Sequence, residues 1–232
     1  MINQQKDAFG EAVKDFYFNH VKNAEIIVKS DLLEDDTIPV NYLFRKYDEM
    51  PLLEKKALDH CTGKVLDVGS GTGIHSLWLQ EKGIDVTPLD ISAGTIEVIE
   101  ATGLKKHVHG DYFEHKDQVY NTILGLMNGI GICGDLDGLD RFLIHSKTLL
   151  SDNGSLILDS SDIKYLYQDD DGGFWVDLNS EYYGIIEYQM QYKDTITDPF
   201  KWLFVDQDKL KKHAEKNGYT CEILFETEND EY

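Results

Sequence analysis

Two spacings of apolar residues alternate through the middle of the chain. Val65, Leu66 and Val68 form a short run that predicts a strand, and 74–80 places Ile74, Leu77, Trp78 and Leu79 at helical spacing before Gly83. Strands are likewise predicted at 84–90, 107–111, 119–127 and 155–159. Helices are predicted at 93–102, stopped by Gly103, and at 135–149, where Leu136, Leu139, Phe142, Leu143 and Leu149 make one apolar stripe. Pro88 cannot donate a ladder hydrogen bond, so the second strand is expected to be irregular there, and 152–154 reads as a turn. Strands alternating with helices predict an α/β domain on a mostly parallel sheet.

The flanks follow other patterns. Phe9, Val13, Phe16 and Tyr17 predict an amphipathic helix within 6–20; 25–29 and 38–44 read as extended, with an exposed turn at 31–36 between them. A helix is expected over 48–60, with Pro51 in its first turn, where proline is tolerated. Beyond Ser160 comes the most aromatic stretch, with Tyr165, Tyr167, Phe174, Trp175, Tyr182 and Tyr183. Strands are predicted at 183–192 and 200–205 around a turn at 197–199, then a helix at 207–217 before Gly218 and a late strand at 219–225.

The chemistry gathers where the first central strand meets its helix. Gly69, Gly71 and Gly73 stand at alternate positions between them. Glycine admits backbone angles other residues resist and lets a ligand approach the main chain. Loops at the carboxyl ends of strands are where open α/β sheets bind ligands. The dinucleotide fingerprint G-x-G-x-x-G would need glycine at Ile74, and no G-K-[ST] follows as a phosphate-cradling P-loop requires. Asp90 closes the second strand about 20 residues beyond the loop, where a carboxylate can accept from both hydroxyls of a ribose. Ser92 is the better N-cap for the next helix, which leaves Asp90 free for that role.

Asp67-x-Gly69-x-Gly71-x-Gly73 resembles motif I of the class I S-adenosylmethionine (SAM) dependent methyltransferases, and the likeness extends over about 62–160. It implies a doubly wound, seven-stranded-type, mostly parallel Rossmann-like sheet, with a β-rich insert after the fifth strand. It also implies SAM as cofactor, bound by Asp67, Gly69, Ser70, Gly71, Gly73, Asp90 and Ile91. By the same resemblance, Asp111 would hold the adenine amine while Tyr112 and Phe113 pack its ring, and Asn128 would face the methionine part. Asn121 stands where the family usually has an acid, and Asp152-Asn-Gly154 replaces its Pro-Gly-Gly turn. The family normally ends in one more antiparallel strand, which 226–232 would supply only in short form. Residues 1–60 read as an amino-terminal cap and 61–232 as the SAM-binding domain, with 161–205 as the aromatic insert.

Charge narrows the acceptor. With 22 Lys and Arg against 43 Asp and Glu, the formal charge is −21, which argues against nucleic acid and against an anionic membrane surface. The leading expectation is methyl transfer to a small molecule, with Tyr17, Arg45 and Asn128 facing the acceptor and Arg45 able to clamp a carboxylate. Residues 128–131 do not form the N-P-P-Y pattern of base-amine methylases. No Ser-His-Asp or Cys-His set is apparent, and no catalytic base is assigned. A nicotinamide-dependent oxidoreductase and a non-catalytic SAM sensor are the competing readings. His107, His109 and His115 lack a completing ligand set, so no metal site is expected. Three scattered cysteines, a polar start and the lack of a membrane-length apolar run point to reduced thiols in the cytoplasm. The sequence sets no oligomeric state.

Overall fold

Small residues decide how the chain begins. The structure, a computed structural model, describes residues 6–32, 34–116, 118–169, 173, 181–228 and 230–232. Helix α1 (Ala8–Phe18) buries Ala8, Gly10, Ala12 and Val13. It is followed by β1 (Glu25–Ser30) and β2 (Asp36–Pro39). The predicted extended stretch at 38–44 instead turns into a 3-10 helix at Val40–Phe44. The helix expected over 48–60 divides at Pro51 into a 3-10 turn, Tyr47–Glu49, and α2 (Leu52–Asp59).

The central sheet follows. Its strands are β3 (Lys64–Val68), β4 (Asp85–Asp90), β5 (Val108–His109), β6 (Tyr120–Gly125) and β7 (Leu150–Leu158), all parallel, in the order β5-β4-β3-β6-β7. Helices α3 (Ile74–Glu81), α4 (Ala93–Ala101) and α5 (Leu136–Leu149) connect them. Both faces are covered. Phe142, Leu139 and Leu143 of α5 pack with Leu66, Val68 and Ile123 on one side. Leu58, Leu79, Ile96 and Ile99 from α2, α3 and α4 pack with Val65 and Leu124 on the other. Burial on both faces is why these strands read as apolar runs.

Three expectations about the sheet change. The β3–β4 register runs unbroken past Pro88, beside which the outer flank is open because β5 pairs only with Leu89 and Asp90. The expected turn at 152–154 lies inside β7, where the register against β6 jumps from Tyr120↔Leu150 to Thr122↔Ser155 and the extra residues bulge out. Residues 219–225 form no strand, and among the described residues the parallel sheet has five strands. The chain end reaches β7's exit only through the antiparallel bridge Ser161↔Glu231, held by Ser160 and Tyr232 backbone bonds of 3.0 and 2.9 Å.

A second, antiparallel sheet joins the two flanks. Strands β8 (Ile185–Tyr192), β9 (Thr195–Ile196) and β10 (Phe200–Leu203) come from the insert, and the order β10-β8-β1-β2 seats β8 beside β1. Cap and insert thus form one layer. Helix α6 (Gln207–Lys216) follows as predicted. Phe174 and Trp175, singled out in the aromatic stretch, lie outside the described residues. Among the described residues no helix is long and apolar enough to cross a membrane.

Helix α1 crosses α4 at two glycines. A Cβ on Gly94 would come within 2.5 Å of the Gly10 backbone, so the crossing tolerates no side chain. Gly94→Ala is expected to push the helices apart and cost about 1–3 kcal/mol, read as a lower urea midpoint; an unchanged midpoint would show that the crossing is looser than described.

Candidate active site

The glycine loop is shaped by its own backbone. Gly69, Gly71 and Gly73 have φ of 64°, 54° and 76°, the left-handed region that disfavours side chains. Gly73 closes the turn through a 2.9 Å bond from its amide to the Ser70 carbonyl and hands the chain to α3. Asp67, only 1 % exposed, accepts from the Ser76 hydroxyl at 2.7 Å, which ties β3 to α3 under the loop. Burial pushes its pKa up; His75 and Ser76 offset part of that.

Asp90 organises the loop from the adjacent strand. Its two carboxylate oxygens each accept one backbone amide, from Gly71 and from Ser92, both at 2.8 Å. It is 8 % exposed, and burial raises its pKa to about 6 despite those amides. Ser92 caps α4 by accepting from the Thr95 amide at 3.1 Å. The Ser92 hydroxyl donates to Asp7 at 2.6 Å, and Asp7 in turn caps α1 by accepting from the Gly10 amide at 2.8 Å. The cap is therefore hydrogen-bonded to the loop through Asp7, Ser92 and Asp90. It brings Phe9 to within 3.8 Å of where a Gly71 Cβ would stand.

A second carboxylate shapes the loop after β6. Met127 and Asn128 are both left-handed, with φ of 63° and 55°, a strained pair outside glycine. Asp159, just past β7, holds them by accepting from the Met127 and Gly129 amides at 2.9 Å each. Burial raises its pKa to about 6 against those amides, with Glu54 adding to the rise. The following 3-10 turn, Gly129–Cys133, puts the Ile132 side chain 3.9 Å from a Cβ on Gly69. The Trp202 indole packs so closely on Gly131 that a Cβ there would lie 2.1 Å away.

The remaining candidates divide. Asp111 caps a short 3-10 turn by accepting from the Phe113 amide at 2.9 Å, and Phe113 is half-buried with the Arg141 guanidinium 5.1 Å from its ring centre. Tyr112 turns into the core instead, its hydroxyl 2.7 Å from Ser146 and its ring against Phe142, so its side chain is committed away from an adenine. Ile91 is half-buried, and its carbonyl lies 3.1 Å from His109 Nε2. Arg45 is not an open clamp: it is 5 % exposed, paired with Glu54 and bonded to the Tyr42 carbonyl at 2.8 Å. Glu54 also holds His75 of α3 at 2.8 Å. Burial opposes the Glu54 charge, but His75 and Arg45 together hold its pKa low. Tyr17 points to α4, its hydroxyl donating to the Ala101 carbonyl at 3.1 Å. His107 lies 3.1 Å from Glu100 and His115 2.9 Å from the Tyr120 hydroxyl. Among the described residues no cluster of three or more His, Cys, Asp or Glu is placed to hold a metal.

Four buried side-chain atoms of the described residues lack partners, and two of them stand at the loops above the sheet. Among the described residues, Arg45 Nε, Ser70 Oγ, Asn128 Oδ1 and His145 Nε2 are buried side-chain atoms without a hydrogen-bond partner. Two of these, Ser70 Oγ and Asn128 Oδ1, sit on the two loops that Asp90 and Asp159 hold. Buried polar atoms ordinarily find partners, so this ledge suits a polar ligand. Asp7, Glu54 and Asp159 were not singled out in the sequence as site residues, and Phe9 was read only as part of a helix face. Only the placement of Asp159 right after the run 155–158 offered a signal for any of them.

A parallel sheet with a glycine loop, a strand-end acid and a second loop across from it defines a nucleoside-binding α/β enzyme of the class I methyltransferase type. A family model described as a methyltransferase domain matches residues 41–222, so the chain belongs to that family, the SAM-dependent methyltransferases, and SAM is its cofactor. It is similar to a SAM-dependent methyltransferase from Bacteroides fragilis in complex with S-adenosyl-L-homocysteine, at 41 % identity and a TM-score of 0.91, covering 99 % of this chain and 94 % of that one. The CcbJ methyltransferase from Streptomyces caelestis shares the fold at 15 % identity and a TM-score of 0.59, covering 80 % and 91 % of the two chains. A glycine/sarcosine N-methyltransferase from Aphanothece halophytica is 26 % identical over 201 residues, 81 % of this chain and 74 % of that protein. The nicotinamide reading is set aside.

Asp159→Asn keeps the shape but turns one acceptor into a donor facing an amide. Leaving one buried N–H unsatisfied should cost about 1–3 kcal/mol in urea denaturation; a variant as stable as the parent would mean that the clamp does not hold the strained pair.

Proposed function

We propose that the chain transfers the SAM methyl group to a small-molecule acceptor held between the glycine loop, residues 128–132 and the antiparallel sheet. The observation that carries this is Asp90. Two of its lone pairs are taken by Gly71 and Ser92, and a carboxylate has about four. The Thr95 side chain acts on the same carboxylate, and the acceptor capacity beyond these three would take the ribose hydroxyls. Main chain at Gly69 and Gly71, with Asp67 beneath, offers a bare surface for the amino-acid part, and Ser70 Oγ and Asn128 Oδ1 would complete it. Asp111 and Phe113 would take the adenine, with Ile91 beside the ribose.

When bound, SAM supplies a methyl group on a positively charged sulfur, which an acceptor lone pair displaces in line. The protein's own part is to hold both reactants and exclude water, and such positioning can contribute roughly 7–11 kcal/mol. No side chain is assigned as a base. Phe9 and Ile132 lie 3.8 and 3.9 Å from where Cβ atoms on Gly71 and Gly69 would stand, apolar neighbours of the loop that would help to shed water from it. The small-molecule reading is supported by the relative named for glycine and sarcosine and by the acidity of the chain, which disfavours nucleic acid and anionic membranes. Three free cysteines accord with a reducing, cytoplasmic setting.

Calorimetry with S-adenosylhomocysteine tests the site. Asp90→Ala should weaken binding about tenfold or more, the loss of hydrogen bonds to a charged acceptor; equal affinity in parent and variant would remove Asp90 from the ribose. The pH dependence has a definite sign. Asp90 must be ionised to accept two hydroxyls, and its pKa in the free protein is about 6. Affinity should therefore rise between pH 5 and 7 and then level off, and Asp90→Asn should flatten the profile; a parent profile flat over this range would contradict the assignment.

A further inference from the structure

Beside Trp202, which covers Gly131, three more rings of this region, Tyr188, Phe200 and Phe204, have not yet been placed. In the antiparallel sheet, Phe200 pairs with Tyr188 and Trp202 with Ile186. Directly paired residues and their second neighbours share a face. Tyr188, Met190 and Tyr192 of β8 therefore lie on one face with Phe200 and Trp202 of β10, and with Val28 and Asp36 through the pairs Val28↔Met190 and Val28↔Asp36. This face looks inward, because its far end packs under α1: Ile26, Tyr192 and Met190 cluster with Ala8, Ala12 and Val13. Its near end rests on the loop after β6, where Trp202 covers Gly131. Both ends are thus seated on walls of the cofactor cleft, α1 through Phe9 above Gly71 and the 3-10 turn through Ile132 above Gly69. Tyr188 and Phe200 lie between these two ends on the same face.

Those rings do not stack into a core. Tyr188, Phe200, Trp202 and Phe204 are all half-buried, and none belongs to the three apolar clusters of the fold. Their neighbours stand at steep angles: Tyr188 to Phe200 at 6.4 Å and 58°, Tyr188 to Phe204 at 6.4 Å and 78°, and Phe200 to Trp202 at 6.2 Å and 78°. The rings pack edge to face on one another, and each stays half-buried, so part of its face remains able to attract a cation through its quadrupole. Carboxylates add to this at the rim. Asp36 lies on the same face, Asp31 accepts from the Glu187 amide at 3.1 Å, and both act electrostatically on Tyr188, whose hydroxyl is pushed up first by burial and then by Tyr165 and these acids. The nearest basic residue on β10, Lys201, is on the opposite face and pairs with Asp135 at 3.3 Å.

We infer that Tyr188, Phe200, Trp202 and Phe204, with Asp31 and Asp36 at the rim, form the acceptor subsite, and that it takes a substituted ammonium head group. This rests on the methyl-transfer reading of the cleft below. It replaces the carboxylate expectation attached to Arg45, whose guanidinium is held by Glu54. The rings would hold the cationic head group as a recognition element, the methyl going to a lone pair on another atom of the same acceptor, so the site would favour an acceptor with such a head group over an anionic one of equal size.

The probes are choline and its neutral isostere 3,3-dimethylbutan-1-ol, titrated by calorimetry into protein saturated with S-adenosylhomocysteine. Choline should bind about fivefold or more tightly than the alcohol, a cation–π preference. Tyr188→Leu should abolish that preference, and the rim variant Asp36→Asn should reduce it about twofold. Both variants should bind S-adenosylhomocysteine like the parent, which separates loss of the subsite from loss of folding. If S-adenosylhomocysteine binds but the two probes bind equally, or neither binds, the cationic subsite is wrong while the methyltransferase site stands. If Tyr188→Leu keeps the choline preference, the rings are not its source. If S-adenosylhomocysteine itself fails to bind, the cofactor assignment beneath the proposal falls with it.

Discussion

The carboxylate of Asp90 is the tie on which the site depends. One oxygen takes the amide of Gly71 and the other that of Ser92, so a single buried charge fixes the glycine loop to the start of α4. Such a charge is expensive to bury without compensation, and here oriented amides supply it. Its raised pKa, about 6, is the residue of that contest between desolvation and hydrogen bonding. Asp159 repeats the device one loop away and lets two non-glycine residues persist at positive φ. Both groups keep a proton to higher pH than in the unfolded chain. Their contribution to folding therefore falls as pH rises from about 4 through 6. Glu54 works the other way, contributing above its unfolded pKa and losing that as pH falls.

From this tie the cap becomes intelligible. Asp7 reaches Ser92, so α1 is attached to the same hydrogen-bonded chain that shapes the loop, and the paired glycines at the α1–α4 crossing let it sit close enough to do so. The antiparallel sheet then extends from α1 to the turn beyond Asn128, whose side-chain Nδ2 donates to the Leu203 carbonyl at 3.1 Å. The roof of the cleft and its floor are fastened at both ends. A glycine loop fixed this way needs little reorganisation to receive a ligand, which is the condition for positioning to contribute to rate.

Much of this was legible in the chain, for definable reasons. A turn requiring left-handed backbone leaves glycines in the sequence, and strands buried on both faces leave apolar runs, so the loop and the sheet core could be read directly. The place of Asp90 at a strand end beside the loop was legible because its distance from the loop is set by one helix and one strand. Partners in space were not. Arg45 carries the same letter whether it faces a substrate or Glu54, and only the fold brings residues nine apart in sequence into a buried pair. Between Tyr112 and Phe113, a 3-10 turn, which no periodicity marks, decides which ring enters the core. The seating of β8 beside β1 joins residues more than 150 positions apart, and local pattern holds no trace of such a pairing. The strand expected at 219–225 had the right composition but found no pairing partner in the sheet.

The most direct test of the central tie is a crystal structure of the protein with S-adenosylhomocysteine bound. The account predicts both ribose hydroxyls at about 2.7 Å from the two oxygens of Asp90, with the amides of Gly71 and Ser92 still donating to the same carboxylate. A nucleoside whose sugar lies elsewhere, or an Asp90 side chain swung away from Gly71 to receive it, would contradict the account.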